Sequence, residues 1–202
     1  MGLKNAIASA FIKATGWKLD IEELPEKVLV VGAPHTSNWD ALYMLTAFWK
    51  LGRKPHFLVK DSVVKIPVFG ALVRGLGGIA VDRSGGNGLV GSLVERLEGD
   101  GDFILAVTPK GTRGKREFWK SGFYRIALEA DIPLELGFVD STTKSFGWSA
   151  SLRLTGDVKA DMEKIREFYA DKTGIKPELT CTPRLRAEDD DEARDYLLSG
   201  LS

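Results

Sequence analysis

Two residues in the stretch PHTSNWD (34–40), His35 and Asp40, have the types and spacing to move a proton. A carboxylate that accepts from one imidazole nitrogen fixes the ring's tautomer and supports the imidazolium. The other nitrogen is then free to take a proton from a hydroxyl, a contribution of typically ~10²–10⁴ in rate. The same residues also read as ordinary helix-start chemistry. Ser37-Asn38-Trp39-Asp40 has the S-x-x-D form of a capping box, in which Asp40 reaches back to a backbone N–H. No nucleophile accompanies the pair: G-x-S-x-G is absent, and Cys181 lies in a polar stretch. A histidine base with no protein nucleophile points to a substrate hydroxyl as the group it activates.

Two further polar clusters suit an anion. GGIAVDRSGG (77–86) sets Arg83 in a glycine-rich turn, and TPKGTRGKRE (108–117) holds Lys110, Gly111, Thr112, Arg113, Lys115 and Arg116. Arginine forks bind phosphate in bidentate fashion, and glycines let backbone N–H groups approach it. Neither cluster has the spacing of a P-loop.

The elements around these clusters alternate. Apolar runs at 28–33, 55–60, 78–82, 103–109 and 133–139 read as strands, with helices expected near 38–51, 87–101, 120–131 and 157–172. The IPVFGALVRGLG stretch also has helical spacing, and 145–156 alternates like an exposed strand or hairpin. This pattern predicts a single α/β domain with a largely parallel, helix-flanked sheet. Its chemistry is expected at the carboxyl ends of the strands, where all three clusters fall. The organisation expected is an amphipathic N-terminal helix over 1–20, a main domain over 21–175 and a polar, acidic, solvated tail over 176–202.

Composition narrows the classes. Basic residues outnumber acidic ones 18 to 12 in residues 1–126, and the balance reverses to 10 against 16 in 127–202. A basic front half suits an anionic substrate or membrane surface, whereas zero net charge and the lack of aromatic–basic interleaving argue against nucleic acid. One cysteine and two histidines exclude an intrachain disulfide and leave no metal cluster, as suits a cytoplasmic protein. The apolar runs are far shorter than the ~20 residues of a membrane-spanning helix. Leu3, Ile7, Phe11 and Trp17, interspersed with Lys4, Lys13 and Lys18, instead suggest a helix lying in the headgroup region at the inner face of a membrane.

The order His35-x-x-x-x-Asp40, GGIAVDR, PKGTR and IPL (132–134) resembles the four blocks of the glycerolipid acyltransferases, such as the lysophosphatidate acyltransferases. The resemblance spans about residues 28–140. It implies the mixed sheet of that family and transfer of an acyl group from acyl-CoA or acyl-carrier protein to a hydroxyl of a lysophospholipid or glycerol phosphate. His35 would be the general base and Asp40 its partner; Lys60, Arg83, Lys110, Gly111, Thr112 and Arg113 would bind substrate. No cofactor or metal is implied. The third block departs from the family by carrying Lys110 in place of a glutamate, which adds charge beside the phosphate site or else turns outward. A lyso-aminolipid acceptor, a hydrolase and a noncatalytic anionic-lipid binder are the alternative readings.

Overall fold

The structure is a computed structural model that describes residues 2–81, 86–99 and 101–201. Seven strands form one sheet in the order β1-β7-β6-β2-β5-β3-β4. They are β1 (Lys18–Ile21), β2 (Lys27–Ala33), β3 (Pro55–Lys60), β4 (Gly78–Val81), β5 (Phe103–Val107), β6 (Leu134–Asp140) and β7 (Ser145–Leu152). The strands β2 to β6 run parallel; β7 lies antiparallel to β6, and β1 pairs parallel to β7.

The continuous apolar run VLVV in β2 follows from burial on both faces. Val28 and Val30 point to one face, with Tyr43 and Phe48 of α2 (Trp39–Leu51) and with Phe146 and Trp148 of β7. Leu29 and Val31 point to the other. There they meet α5 (Gly86–Glu98), α6 (Gly122–Glu129) and α7 (Val158–Tyr169). The first face also carries α1 (Leu3–Thr15), which packs on α2. Phe11 and Trp17 stack near Tyr43 at 5.4 and 4.4 Å, and the Lys50 ammonium donates to Ser9 Oγ at 3.2 Å. Two short helices, α3 (Asp61–Val64) and α4 (Phe69–Gly75), connect β3 to β4. Val73 of α4 sits against Gly78 and Val59, on the α1–α2 face.

Connectivity creates one crevice. The chain leaves β2 through α2 on one face and travels to β3, whereas it leaves β5 through α6 on the other face and travels to β6. Adjacent strands whose connections diverge in this way open a cleft between their carboxyl ends. The loops that emerge there are PHTSNWD and TPKGTRG.

Two expectations need correction. The stretch 145–156 does form a strand, β7, over Ser145–Leu152, but it is neither a hairpin nor an exposed strand: β1 covers its outer side, and Phe146 and Trp148 are fully buried. Residues 176–202 are not a solvated tail, for Leu185, Ala187 and Leu197 enter the main core. Glu188 of the acidic run is itself buried, paired to Arg166 of α7. The last helix, α8 (Asp191–Leu198), starts with Asp190 capping the N–H of Ala193 at 3.0 Å.

Candidate active site

The turn after β2 has the geometry of both readings that the sequence left open. Asp40 Oδ2 accepts the backbone N–H groups of Thr36 at 2.8 Å and Ser37 at 2.9 Å, which fixes the strand-to-helix turn. The reciprocal half of a capping box is missing: Ser37 Oγ accepts from Trp39 N at 3.3 Å and does not reach further into the helix. The same Oδ2 lies 3.0 Å from His35 Nδ1. This contact is close without being aligned as a hydrogen bond, and the same oxygen takes two backbone donors. Catalytic hydrogen bonds often align only when substrate is bound. Asp40 Oδ1 is buried with no hydrogen-bond partner.

Burial is graded across the pair. The Asp40 side chain keeps 8% exposure and His35 keeps 15%. Since Nδ1 is buried, the accessible part of the ring is the edge away from Asp40. The Ala33–Pro34 peptide that leads into the turn is cis.

A cleft of about 580 Å³ opens beside this turn. Thr36, Ser37 and Trp39 line one side, and Arg113 and Gly114 from the loop after β5 line another. Trp39, the first residue of α2, is half exposed. Gly111 adopts a left-handed φ of 66°, which lets the Thr108–Gly111 turn close with a 2.9 Å bond before the chain reaches Arg113. Thr112 is exposed and accepts from Gly114 N at 3.2 Å.

Lys110 follows neither sequence expectation. It is only 4% exposed, and its ammonium donates to the Leu179 carbonyl at 2.8 Å. Burial pulls its pKa below the ordinary lysine range, while Cys181 and Asp40 pull the other way. It neither turns outward nor lines the cleft. Lys60 is exposed at the carboxyl end of β3, two strands from β2. Arg83 lies outside the described residues. Among the described residues there is no cluster of His, Cys, Asp and Glu suited to a metal ion. His56 stands elsewhere, stacked on Phe103 at 4.3 Å. Burial lowers its pKa first, helped by the charge of Lys54. The sequence reading missed Ile175, Lys176 and Leu179, which complete the cleft. No local pattern marks them, because only the tertiary fold brings them to this edge.

Comparison with known proteins decides what this crevice belongs to. A sequence model of the family described as Acyltransferase matches residues 18–135. The chain belongs to the acyltransferase family. The matched region contains β1 to β5, α2 and both members of the His35–Asp40 pair, and the activity of the family is acyl transfer. Among curated proteins, none matches the chain. Among solved structures, the crystal structure of the 1-acyl-sn-glycerophosphate (LPA) acyltransferase PlsC from Thermotoga maritima is similar at 18% identity and a TM-score of 0.48. The likeness covers 74% of this chain and 67% of that one.

Proposed function

We propose that this acyltransferase moves a fatty acyl group from a thioester, acyl-CoA or acyl-carrier protein, to the hydroxyl of a lysophospholipid or glycerol phosphate. The observation that carries the reading is the 3.0 Å approach of His35 Nδ1 to Asp40 Oδ2 in the turn whose Thr36–Trp39 stretch lines a cleft with Arg113; His35 and Asp40 themselves are not among the lining residues. His35 Nε2, on the accessible side of the ring, takes the proton of the acceptor hydroxyl as its oxygen attacks the thioester carbon. Asp40 keeps Nδ1 protonated and stabilises the imidazolium that forms. The tetrahedral intermediate then breaks its carbon–sulfur bond, and the imidazolium returns the proton to the departing thiolate. Products are an ester and a free thiol, and no metal or redox partner enters the balance. Thr36 N and Ser37 N are committed to Asp40, and Gly111 N to the Thr108 carbonyl, so in this reading Thr112, next to Arg113, supplies the donor to the intermediate's oxyanion. Arg113, joined by Arg83 and Lys60, would hold the acceptor's phosphate, whereas Lys110 acts through the loop it supports.

The reading includes peripheral attachment to the inner face of a membrane. Among the described residues no helix is long and apolar enough to cross one. The helices of the α1–α2 face instead carry exposed apolar side chains: Leu3 and Ile7, Trp39 and Leu42, and Val68, Phe69 and Leu72. Lys65 and Arg74 flank the last three, as suits an element resting among anionic headgroups. Trp39 belongs both to this face and to the cleft, so an amphiphilic acceptor would enter from the bilayer.

The test is purified protein with labelled long-chain acyl-CoA and a panel of lysolipids, wild type beside His35→Ala. The variant should lose transfer by ~10² or more. Equal rates would refute the base role, and free fatty acid released without acceptor would indicate a hydrolase.

A further inference from the structure

Residues 173–181 lie well beyond the family match, yet they form a wall of the active-site cleft. They are attached to three strand-end loops of the crevice. After β6, Asp140 Oδ1 accepts from Thr173 N at 3.0 Å, and Ser141 Oγ donates to the Gly174 carbonyl at 2.8 Å. After β2, Lys176 N donates to Thr36 Oγ1 at 3.1 Å. After β5, the Lys110 ammonium donates to the Leu179 carbonyl at 2.8 Å. Gly174 permits the close approach: a Cβ there would fall 2.6 Å from both Thr36 Oγ1 and Cγ2 and 3.2 Å from Pro34 Cβ. A segment held at three points, one of them next to His35, is a built part of the site.

Its side chains define what the wall is for. Ile175 and Leu179 contribute apolar surface to the cleft, and Lys176 contributes a cation. The lining residues include two cations, Arg113 and Lys176, and no carboxylate. Among the described residues neither cation is engaged in an ion pair, and both side chains are exposed. Two unneutralised cations from different loops, separated by a cleft that opens beside a general base, match an anion carried by the substrate.

We infer that Lys176 is a specificity-determining residue which, together with Arg113, grips the anionic headgroup of the acyl acceptor across the cleft. The inference rests on the transferase reading above and adds a residue from outside the region that the family match covers. It also gives Lys110 a role. By tying Leu179 to the loop after β5, the buried ammonium sets the distance between the two cations.

Transfer kinetics on Lys176→Gln, Lys176→Glu and Lys176→Arg test this, with oleoyl-CoA as donor and either lysophosphatidate or uncharged monoacylglycerol as acceptor. Lysophosphatidate KM should rise about tenfold in the glutamine variant, as expected for one lost charge-assisted hydrogen bond. It should rise further in the glutamate variant and return toward wild type in the arginine variant. Monoacylglycerol KM, oleoyl-CoA KM and kcat should stay within about twofold, since each H-bond and charge that they use is untouched. An unchanged lysophosphatidate KM in both the glutamine and glutamate variants would overturn the inference. So would a rise confined to oleoyl-CoA, which would assign the lysine to the donor. Calorimetric titration with lysophosphatidate separates the two levels. A wild type that transfers to no acceptor, yet binds this anion more tightly than Lys176→Glu, refutes the transferase reading and leaves the cation pair standing; equal binding by both removes the pair as well.

Discussion

Replacing Asp40 separates the turn-fixing bonds of its carboxylate from the support of His35 that we propose for it. In Asp40→Asn, the amide oxygen can still accept the N–H groups of Thr36 and Ser37, and the amide nitrogen takes the place of Oδ1, which has no partner to lose. Hydrogen bonds to charged groups contribute roughly 1.5–3 kcal/mol against roughly 0.5–1.5 for neutral ones, so the two bonds together weaken by about 2 kcal/mol. Relief from burying a carboxylate that is 8% exposed offsets part of this, and the amide N–H left without an acceptor adds roughly 1–3 kcal/mol, for a net cost of about 2–3 kcal/mol. Asp40→Ala instead orphans two buried backbone donors at roughly 1–3 kcal/mol each, so it should cost about 2–6 kcal/mol. Activity should order differently from stability. Loss of the charge beside Nδ1 removes support for the imidazolium in both variants, so kcat should fall by ~10²–10⁴ in each, or about 3–5 kcal/mol of barrier. Urea unfolding paired with transfer kinetics at saturating acyl-CoA and acceptor measures both quantities. If Asp40→Asn keeps wild-type kcat while Asp40→Ala is destabilised as stated, the carboxylate is helix-start chemistry alone and the proton-transfer argument fails.

Two other outcomes follow from the geometry. Glu135, buried at β6 with Oε1 unpartnered, has its pKa pushed up to about 7 from 4.5, chiefly by burial. A folded-state value above the unfolded one means that the stability it contributes is complete below about pH 4.5 and is lost as pH rises through about 7. That loss amounts to about 3 kcal/mol. Urea unfolding at pH 5 and pH 8 should therefore show wild type weakening and Glu135→Gln nearly flat; parallel slopes in the two proteins would contradict the assignment. On the apolar face, Val68 is 85% exposed, and the double variant Val68→Ser, Leu72→Ser should weaken co-sedimentation with anionic phospholipid vesicles by about tenfold or more, since each burial is worth about 1.5–3 kcal/mol. Unchanged sedimentation would remove α4 from the membrane surface.

What the sequence made legible was local and periodic. The VLVV run, the helix that Gly52 ends and the strand-end clusters could all be placed because side chains alternate at two residues in strands and recur near 3.6 in helices. The His35–Asp40 contact was legible for the same reason, since a strand-to-helix turn fixes the separation of its flanking residues. Features that depend on distant partners were not. β1 has four residues and alternates weakly, and its pairing to β7 requires Gly147, where a Cβ would fall 1.6 Å from the Asp20 carbonyl. Leu185 and Leu197 stand among charges, and only the arrival of α7 and α6 makes them core. Lys110 was read from the character of its neighbours as either a phosphate ligand or an outward chain. Its actual partner is a carbonyl 69 positions along the chain.

The uneven distribution of charge acquires a different meaning in three dimensions. An acidic second half next to a basic first half would suggest that the two fields cancel at the cleft. Four carboxylates of the second half, Glu135, Asp140, Asp161 and Glu188, are instead buried, and exposed ones such as Asp131 and Asp171 are not among the residues that line the cleft. Asp161 accepts from Tyr124 Oη at 2.7 Å and Thr155 N at 2.8 Å, and Glu188 accepts from Leu185 N at 2.6 Å. Asp140 accepts from the backbone of Thr142, Thr143 and Thr173. Burial alone would raise the Asp140 pKa, but these bonds and the Thr143 hydroxyl hold it below the usual carboxylate value. Each such carboxylate therefore spends its charge on neighbouring donors, whereas Arg113 and Lys176 keep theirs facing the cleft. Net charge is zero for the chain and positive where an anionic substrate would sit, because the cleft lining takes Arg113 and Lys176 and no carboxylate.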